Sequence, residues 1–449
     1  MKRPEQFQDM ISRLYPELHT PNPNNQDKLI SSHSVTFQVT DACNLACTYC
    51  YQINKGKRVM KFEYAKKLID ALLSGDERFG NYITLENSPG IILDFIGGEP
   101  LLEVELIEQI CDYFYEQVIM LQHPWATRFR ISIATNGTLH FDEKVQHFLK
   151  KYEKHISYGI TVDGNKELHD SCRIFPDGRP SYDMAIAAVK DWAGKGHPIE
   201  SKLTIAPENI DYIYDAILNL VDNGYEEIDA NPVFEDVWHQ EDAVKYYNQL
   251  KRLADYWNDN DLVDDIYFSL FEDTCFCPIP EEENKNFCGG TGDMLAMDPD
   301  GYLYPCIRYM ESSLGNDVPP IVIGHVDIGI AQCDCHNKCL HCFDGITRRS
   351  QSTDECFYCP IGQGCAWCSA YNYQATGSPN KRAVTICEMH KARALANVYF
   401  WNTYYRKHNI IDEETGKQKR FKNYCPDEWA LNIISQEELD MLKALAEED

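Results

Sequence analysis

Apolar and polar residues begin to alternate at residue 33, and the alternation returns five more times with a helical stretch between successive runs. "HSVTFQVT" (33–40), "GIILDFI" (90–96), "FRISIAT" (129–135), "HISYGITV" (155–162), "IESKLTIA" (199–206) and "EEIDANPVF" (226–234) predict six strands. Between them, "KFEYAKKLIDALL" (61–73), "VELIEQICDYFYEQVIML" (104–121), "EKVQHFLKKY" (143–152), "YDMAIAAVKDWA" (182–193) and "DYIYDAILNLV" (211–221) predict five helices. Strands with apolar interiors that alternate with helices suit a parallel sheet buried on both faces. Right-handed crossovers turn six such units into a partial (β/α)6 barrel of the α/β class, open on one side. In such folds the chemistry gathers at the C-terminal ends of the strands. Four segments fall there: "DACNLACTYC" after the first strand, "GGEP" (97–100) after the second, "NGT" (136–138) after the third and "DG" (163–164) after the fourth.

The flanks read differently. Residues 1–32 are polar and broken by prolines ("PNPNNQ"), an N-terminal arm ahead of the barrel at 33–240. "DAVKYYNQLKRLADYWND" is helical and opens a bridge, 241–274, after which the alternation stops. Thirteen of the nineteen cysteines lie within 275–387 among many Gly, Pro and Asp, so 275–390 is expected to be a small domain organised by metal. In 391–449, "KARALANVYFWNTYYRKH" predicts a helix and the last forty residues a polar tail. No apolar run approaches the roughly 20 residues of a membrane span. The first residues lack the apolar core of a secretory signal, so the expected location is cytoplasmic, where clustered cysteines are metal ligands rather than disulfides. A formal net charge of -28 argues against nucleic acid as a partner, leaving only local patches such as "NKGKR" (54–58).

Cys43, Cys47 and Cys50 offer three ligands on one loop. Structural zinc takes four, whereas a [4Fe-4S] cubane held by three thiolates keeps one iron free for another ligand. Three buried cysteines, or part of a zinc site, are the plain alternatives. The C-x3-C-x2-C spacing after the first strand, with Tyr49 before the third cysteine and "GGEP" after the second strand, resembles the radical S-adenosylmethionine superfamily. That resemblance implies a [4Fe-4S] cluster on Cys43, Cys47 and Cys50 whose free iron chelates S-adenosylmethionine. An electron, from an external donor such as a flavodoxin or ferredoxin, then yields a 5′-deoxyadenosyl radical. Gly97 and Gly98 would admit the ligand close to the backbone, and Glu99 or neighbouring carbonyls would receive its ammonium. Asn136 and Thr161 would reach its ribose or carboxylate. Arg173 would clamp a carboxylate in a fork, with Arg179 as competitor. For each polar residue the alternative is loop capping.

In the second region Cys288 and Cys306 bracket a glycine, Gly301; Cys356, Cys359, Cys365 and Cys368 follow, then Cys387. This resembles the SPASM extension of radical S-adenosylmethionine enzymes, with one departure: the gap from Cys365 to Cys368 is one residue shorter than usual. The resemblance implies two auxiliary [4Fe-4S] clusters, making three in all. Cys356, Cys359, Cys365 and Cys387 would hold the distal one. Cys288, Cys306 and Cys368 would hold the proximal one, with Cys275 or Cys277 as fourth ligand, or else an open iron for a substrate thiolate. A zinc ribbon is the alternative. "CDCHNKCLHC" (333–342) adds Cys333, Cys335, Cys339 and Cys342 with His336 and His341, a further metal site, a thiol-exchange site or a plain loop. Cys111 reads as core, and Cys172 and Cys425 receive no role.

"CIRYMESSLGNDVPP" and "CEMHKARALANVYFWN" resemble maturases of ribosomally made peptides with spaced cysteines. This implies oxidative crosslinking of a precursor peptide, a thioether being the expected bond. Only 32 residues precede the first strand, so leader binding is expected to use another surface or a separate leader-binding protein. The competing enzyme is an anaerobic sulfatase-maturating enzyme that forms formylglycine, suggested by "TVDGNKELHDSCR". A non-catalytic metal-binding scaffold is the reading from another class. No acidic residue stands out as general base.

Overall fold

The computed structural model describes residues 32–447 except 81, 287, 316, 331–342 and 344. The N-terminal arm and the Cys333–Cys342 segment therefore lie outside the described residues. All six predicted strands form. β1 (Ser32–Thr40), β2 (Gly90–Gly97), β3 (Phe129–Thr135) and β4 (Ile156–Ile160) pair in sequence order, all parallel. The ladder then breaks. β5 (Glu200–Ile205) and β6 (Glu227–Pro232) form a second parallel sheet, joined by β7 (Tyr267–Phe268). Across the break, the Ser201 hydroxyl donates to the Val162 carbonyl at 3.3 Å. The result is an open α/β sheet system with helices α1 (Phe62–Ser74), α2 (Val104–Met120), α3 (Glu143–Tyr152), α4 (Lys166–Cys172), α5 (Tyr182–Gly194) and α6 (Ile213–Asp222) between strands. Of these only α4 went unpredicted.

Register explains which strand face does what. Val35, Leu93, Ile131 and Ile156 lie in one row across the sheet, and Phe37, Phe95, Ile133 and Tyr158 in another. All eight are buried in the core that also takes in Leu68, Ile107 and Phe148 of the helices. Because strand side chains alternate, the row between them faces the other way. It reads Thr36, Asp94, Ser132, Ser157. The Thr36 hydroxyl donates to Asp94 Oδ2 at 3.0 Å, and Gln38 and Thr40 continue the polar face of β1. A sheet buried on both faces was expected; this second face is polar, with Thr36, Gln38 and Thr40 of β1 buried on it.

The cysteine-rich half does not stand apart from this sheet. β8 (Met294–Met297) pairs in parallel with β1 on the edge opposite β2, from Ser34↔Met294 to Phe37↔Met297. A hairpin leads to β9 (Tyr302–Tyr304), and β10 (Gly324–His325) and β11 (Gly329–Ile330) complete eight strands. Gly301, at φ 89°, occupies a left-handed turn position that only glycine takes without strain. Leu295, Ala296 and Met297 are fully buried, so an apolar strand anchors this region in addition to anything its cysteines bind. Two long helices back it: α7 (Gln240–Asp259), with Trp257 stacked on Phe268 at 5.0 Å, and a helix over Cys387–Lys407, with Phe400 stacked on Phe271 at 4.1 Å. The expected polar tail contains a helix over Gln436–Ala446. Ser435 caps it, Leu439 and Leu442 are fully buried, and Glu438 accepts from Tyr247 at 2.5 Å and Lys251 at 2.6 Å. Among the described residues no helix is long and apolar enough to cross a membrane.

Candidate active site

The chain leaves β1 at Thr40 and crosses the end of β2 at close quarters. Gly98 N donates to Thr40 O at 3.1 Å and Glu99 N to Ala42 O at 2.9 Å. A Cβ on Gly98 would lie 2.3 Å from Ala42 O and 2.7 Å from Cys43 Cβ, and one on Gly97 would lie 2.7 Å from Thr40 O. Both glycines are thus required by the cysteine loop itself. Glu99 is buried, and its carboxylate accepts from Thr135 Oγ1 at 2.6 Å, Asn136 N at 2.9 Å and Leu101 N at 3.1 Å. Burial raises its carboxyl, and these donors work against the rise. Asn136 in turn donates to Asn44 Oδ1 at 2.8 Å, and Asn44 donates to Thr138 Oγ1 at 2.7 Å. "GGEP" and "NGT" therefore act together to seat Cys43. Thr161, half-buried at the end of β4, is tied by its backbone N–H to Thr135 O at 2.9 Å.

Cys43, Cys47 and Cys50 are half-buried and sense one another's charge. Leu45 N points at Cys43 Sγ at 3.4 Å. The stretch after α4 braces the loop through Cys172 O to Thr48 N at 3.0 Å and Ile174 O to Ala46 N at 2.7 Å, which gives Cys172 its place. Burial raises the thiols of Cys43 and Cys47; Lys55 opposes this at both, and Arg173 at Cys47. Arg173 lies 5.4 Å over the Tyr49 ring and pairs through Nε with Asp163 Oδ2 at 2.7 Å, while the Tyr49 hydroxyl donates to Asp163. Asp163 Oδ1 is buried without a partner among the described residues. Arg179 is elsewhere: 67% exposed, paired with Asp177 at 2.7 Å and laid on Phe175. The structure separates the two arginines and brings Arg173 to the cysteines. His169, absent from the sequence reading, accepts from Asp163 N at 3.2 Å and meets Ser181 Oγ at 3.0 Å; burial lowers it to about 4, so it is neutral.

Other groups were also missed. Asp94 lies on the polar face of the sheet, its carboxyl raised by burial against hydrogen bonds from Ser132 and Thr36. Its signal was there to find, a lone carboxylate inside an apolar strand. Tyr51 follows Cys50, and its phenol senses Cys50, Arg308, Asp94 and Cys306. The Arg308 guanidinium lies 5.4 Å over the Tyr51 ring and meets Glu235 Oε1 at 3.1 Å. Tyr51 and Arg308 thus stand between the first cysteine group and the second. The basic run "NKGKR" leaves Lys55 and Lys57 exposed while Asn54 and Arg58 are half-buried. Arg58 binds Asp41 at 2.6 Å and Asp300 at 2.7 Å, Lys55 donates to Leu45 O at 3.2 Å, and Asn54 to Glu311 O at 2.9 Å. These bonds tie the cysteine loop to the cysteine-rich half.

In that half the thiols fall into two groups. Cys288, Cys306 and Cys368 sense one another, with Arg308 beside them. Burial raises the Cys306 thiol, and Cys288 Sγ lies 3.3 Å from Ser369 Oγ at the start of α8 (Ser369–Thr376). Cys356, Cys359, Cys365 and Cys387 line one cavity of about 330 Å³ with Ile361, Arg382, His390 and Trp429. Cys275 sits on this second side, its Sγ against Gly364, and Phe276 and Cys277 are bonded through the backbone to Gln363 at 3.0 and 2.9 Å. Cys425 is buried and senses Cys359, while Cys111 is in the core at 1% exposure. Among the described residues no three His, Cys, Asp or Glu side chains converge on a point that would hold a single metal ion. Four thiols around one cavity are a donor set that a polynuclear iron–sulfur cluster uses, each thiolate at a different iron.

Comparison with known proteins agrees with this geometry. Residues 37–220 match the model of the Radical SAM superfamily. The serine-type anaerobic sulfatase-maturating enzyme of Bacteroides thetaiotaomicron is 25% identical over 315 residues, 61% of this chain and 69% of the relative. The antilisterial bacteriocin subtilosin biosynthesis protein AlbA of Bacillus subtilis is 25% identical over 310 residues, 66% of this chain and 60% of the relative. The chain thus spans only about two thirds of the length of these curated relatives. In fold, a solved structure of native anSMEcpe with bound AdoMet and Kp18Cys peptide superposes with a TM-score of 0.60 at 17% identity, over 84% of this chain and 99% of that one. Residues 37–220, with the cysteine loop at the C-terminal edge of a parallel sheet, thus form a radical S-adenosylmethionine domain.

Proposed function

We propose that this chain is a cytoplasmic maturase that abstracts a hydrogen atom from a ribosomally made, cysteine-rich precursor peptide and installs an oxidative crosslink, a thioether. One observation carries the reading: the three half-buried thiols at the sheet edge and the Cys306 group of the cysteine-rich half flank the same two side chains, Tyr51 and Arg308. Bound there, a reduced [4Fe-4S] cluster and S-adenosylmethionine supply a 5′-deoxyadenosyl radical. Cys43, Cys47 and Cys50 would hold that cluster, with Lys55 and Arg173 favouring the thiolate form. The Glu99 carboxylate is spent on three internal donors, so carbonyls of the Gly97–Gly98 turn are the acceptors left for an ammonium. Arg173 and the unpartnered Asp163 Oδ1 face the same loop and suit the carboxylate and hydroxyl groups of the ligand.

Asp94, Tyr51 and Arg308 would meet the peptide, Asp94 as the proton acceptor and Arg308 as the donor to a carbonyl or carboxylate. Cys356, Cys359, Cys365 and Cys387 would hold a distal auxiliary cluster, and Cys288, Cys306 and Cys368 a proximal one. Cys275, whose sulfur lies against Gly364, or Cys277 would be the fourth ligand of the proximal cluster; if neither serves, an open iron would take a substrate thiolate. A flavodoxin- or ferredoxin-class donor and a separate leader-binding protein are the expected partners. AlbA, named for subtilosin biosynthesis, and the peptide bound in the anSMEcpe structure support a peptide substrate. The likeness to the sulfatase-maturating enzyme favours a second reading, formylglycine formation.

The test is anaerobic. The protein is loaded with iron and sulfide, reduced, given S-adenosylmethionine, and assayed for iron and 5′-deoxyadenosine. About twelve irons per chain with deoxyadenosine formed supports three cubanes, and about sixteen adds the 333–342 cysteines. Replacing Cys43, Cys47 and Cys50 by alanine removes about four irons and all deoxyadenosine; deoxyadenosine at the parent rate sinks the assignment. Cysteine-rich peptides and a sulfatase peptide then separate the two readings, because only formylglycine reacts as a carbonyl.

A further inference from the structure

The four thiols around the 330 Å³ cavity are not equivalent. Arg382 Nη2 lies 2.9 Å from Cys365 Sγ and 3.4 Å from Cys365 O, so one guanidinium N–H reaches the sulfur directly. Its positive charge also acts on Cys359 and Cys387. The other cation lining the cavity, Lys391, is paired with Glu388 at 2.6 Å and lies over the Trp429 ring. Arg382 is held in place by its backbone. Its N–H donates to Gln351 O at 3.0 Å, and the next residue, Ala383, donates to Asn372 Oδ1 at 2.8 Å. Asn372 is fully buried in α8, which begins at Cys368, a cysteine of the other group. The guanidinium is therefore fixed relative to both cysteine groups.

We propose that Arg382 sets the reduction potential of the distal cluster by donating an N–H···S hydrogen bond to Cys365. This rests on the reading that Cys356, Cys359, Cys365 and Cys387 hold an iron–sulfur cluster. Reduction adds one electron from an external one-electron donor, breaks no bond and moves no proton. The added negative charge is spread over the thiolate sulfurs, where a cation and a hydrogen-bond donor stabilise the reduced form more than the oxidised one. Arg382 thus makes the distal cluster easier to reduce than the same four thiolates would alone. It is a positioning residue that acts through Cys365, not a group that touches substrate.

Potentiometric titration of the loaded full-length protein with dithionite, followed by electron paramagnetic resonance, tests this. In Arg382→Gln the equilibrium for reducing the distal cluster falls about tenfold, a shift of about 59 mV to lower potential. Arg382→Lys falls between Gln and the parent. Arg349→Gln, which removes the pair with Asp354 and the packing on Phe357 and Tyr358 but no contact to a cysteine sulfur, leaves the potential unchanged. A parent midpoint in a fully iron-loaded Arg382→Gln overturns the proposal. If that variant loses the distal iron, parent protein labelled with ¹⁵N in the arginine guanidinium decides: a nitrogen hyperfine coupling on the distal signal supports the hydrogen bond, and none overturns it. If Cys356→Ala and Cys387→Ala leave both iron content and spectrum unchanged, the distal cluster itself is absent and the reading beneath the proposal fails.

Discussion

Asp94 is a carboxyl in the middle of a strand, met only by hydroxyls, and burial raises its pKa in the folded state. A group raised on folding binds more protons in the native than in the unfolded chain. Its cost to stability is therefore full at neutral pH and disappears below the unfolded value, at about pH 4. Asp94→Asn should melt above the parent at pH 7, with the advantage gone near pH 4, while peptide turnover falls; an equal or lower melting temperature at pH 7 contradicts this account. Gly98→Ala should do the reverse, because its Cβ meets backbone and Cys43 rather than a yielding side chain. It should cost about 1–3 kcal/mol and lower iron at the first site, read by melting and iron assay. At this scale the sequence disclosed which residues meet at the loop better than it disclosed their contacts. Cys43, Cys47, Cys50 and "GGEP" are legible because loop geometry demands fixed spacing. That Glu99 meets Thr135 and Asn136 depends on neighbours some 36 residues away, which spacing does not encode.

At the scale of elements, six strands and five helices were legible because each carries a full run of alternating or helical periodicity. β8 to β11 were not, being two to four residues long and too short to show a period. The helix over Gln436–Ala446 hid behind its charges, although Ser435 followed by Glu438 is a recognisable start. β8 carries weight out of proportion to its length. Leu295 is fully buried beside Val35, so Leu295→Ala should cost about 2–5 kcal/mol in urea unfolding. Because β1 also carries the cysteine loop, that variant should release iron from the first site faster than the parent. Loss of stability with unchanged iron retention would mean that β8 does not support the loop.

Taken whole, the molecule places three cysteine groups along one path. The first lies at the sheet edge, Tyr51 and Arg308 come next, then Cys306 with Cys288 and Cys368, and α8 and Arg382 link these to the distal four. The formal net charge is -28, and within the basic run Arg58 is already paired with Asp41 and Asp300. The end of the strand–helix alternation, at the helix Gln240–Asp259, was readable from the change in periodicity. The shared eight-stranded sheet was not, because pairing between segments so far apart leaves no local trace.

That shared sheet bears on how the chain is made. β1 leaves the ribosome early, but the partner for one of its edges, β8, is about 260 residues further on, which is about 13 to 50 seconds of synthesis. Until then an apolar strand edge stays open to any neighbouring chain. A fragment ending near residue 240 would carry that open edge permanently and should aggregate rather than persist as a free barrel.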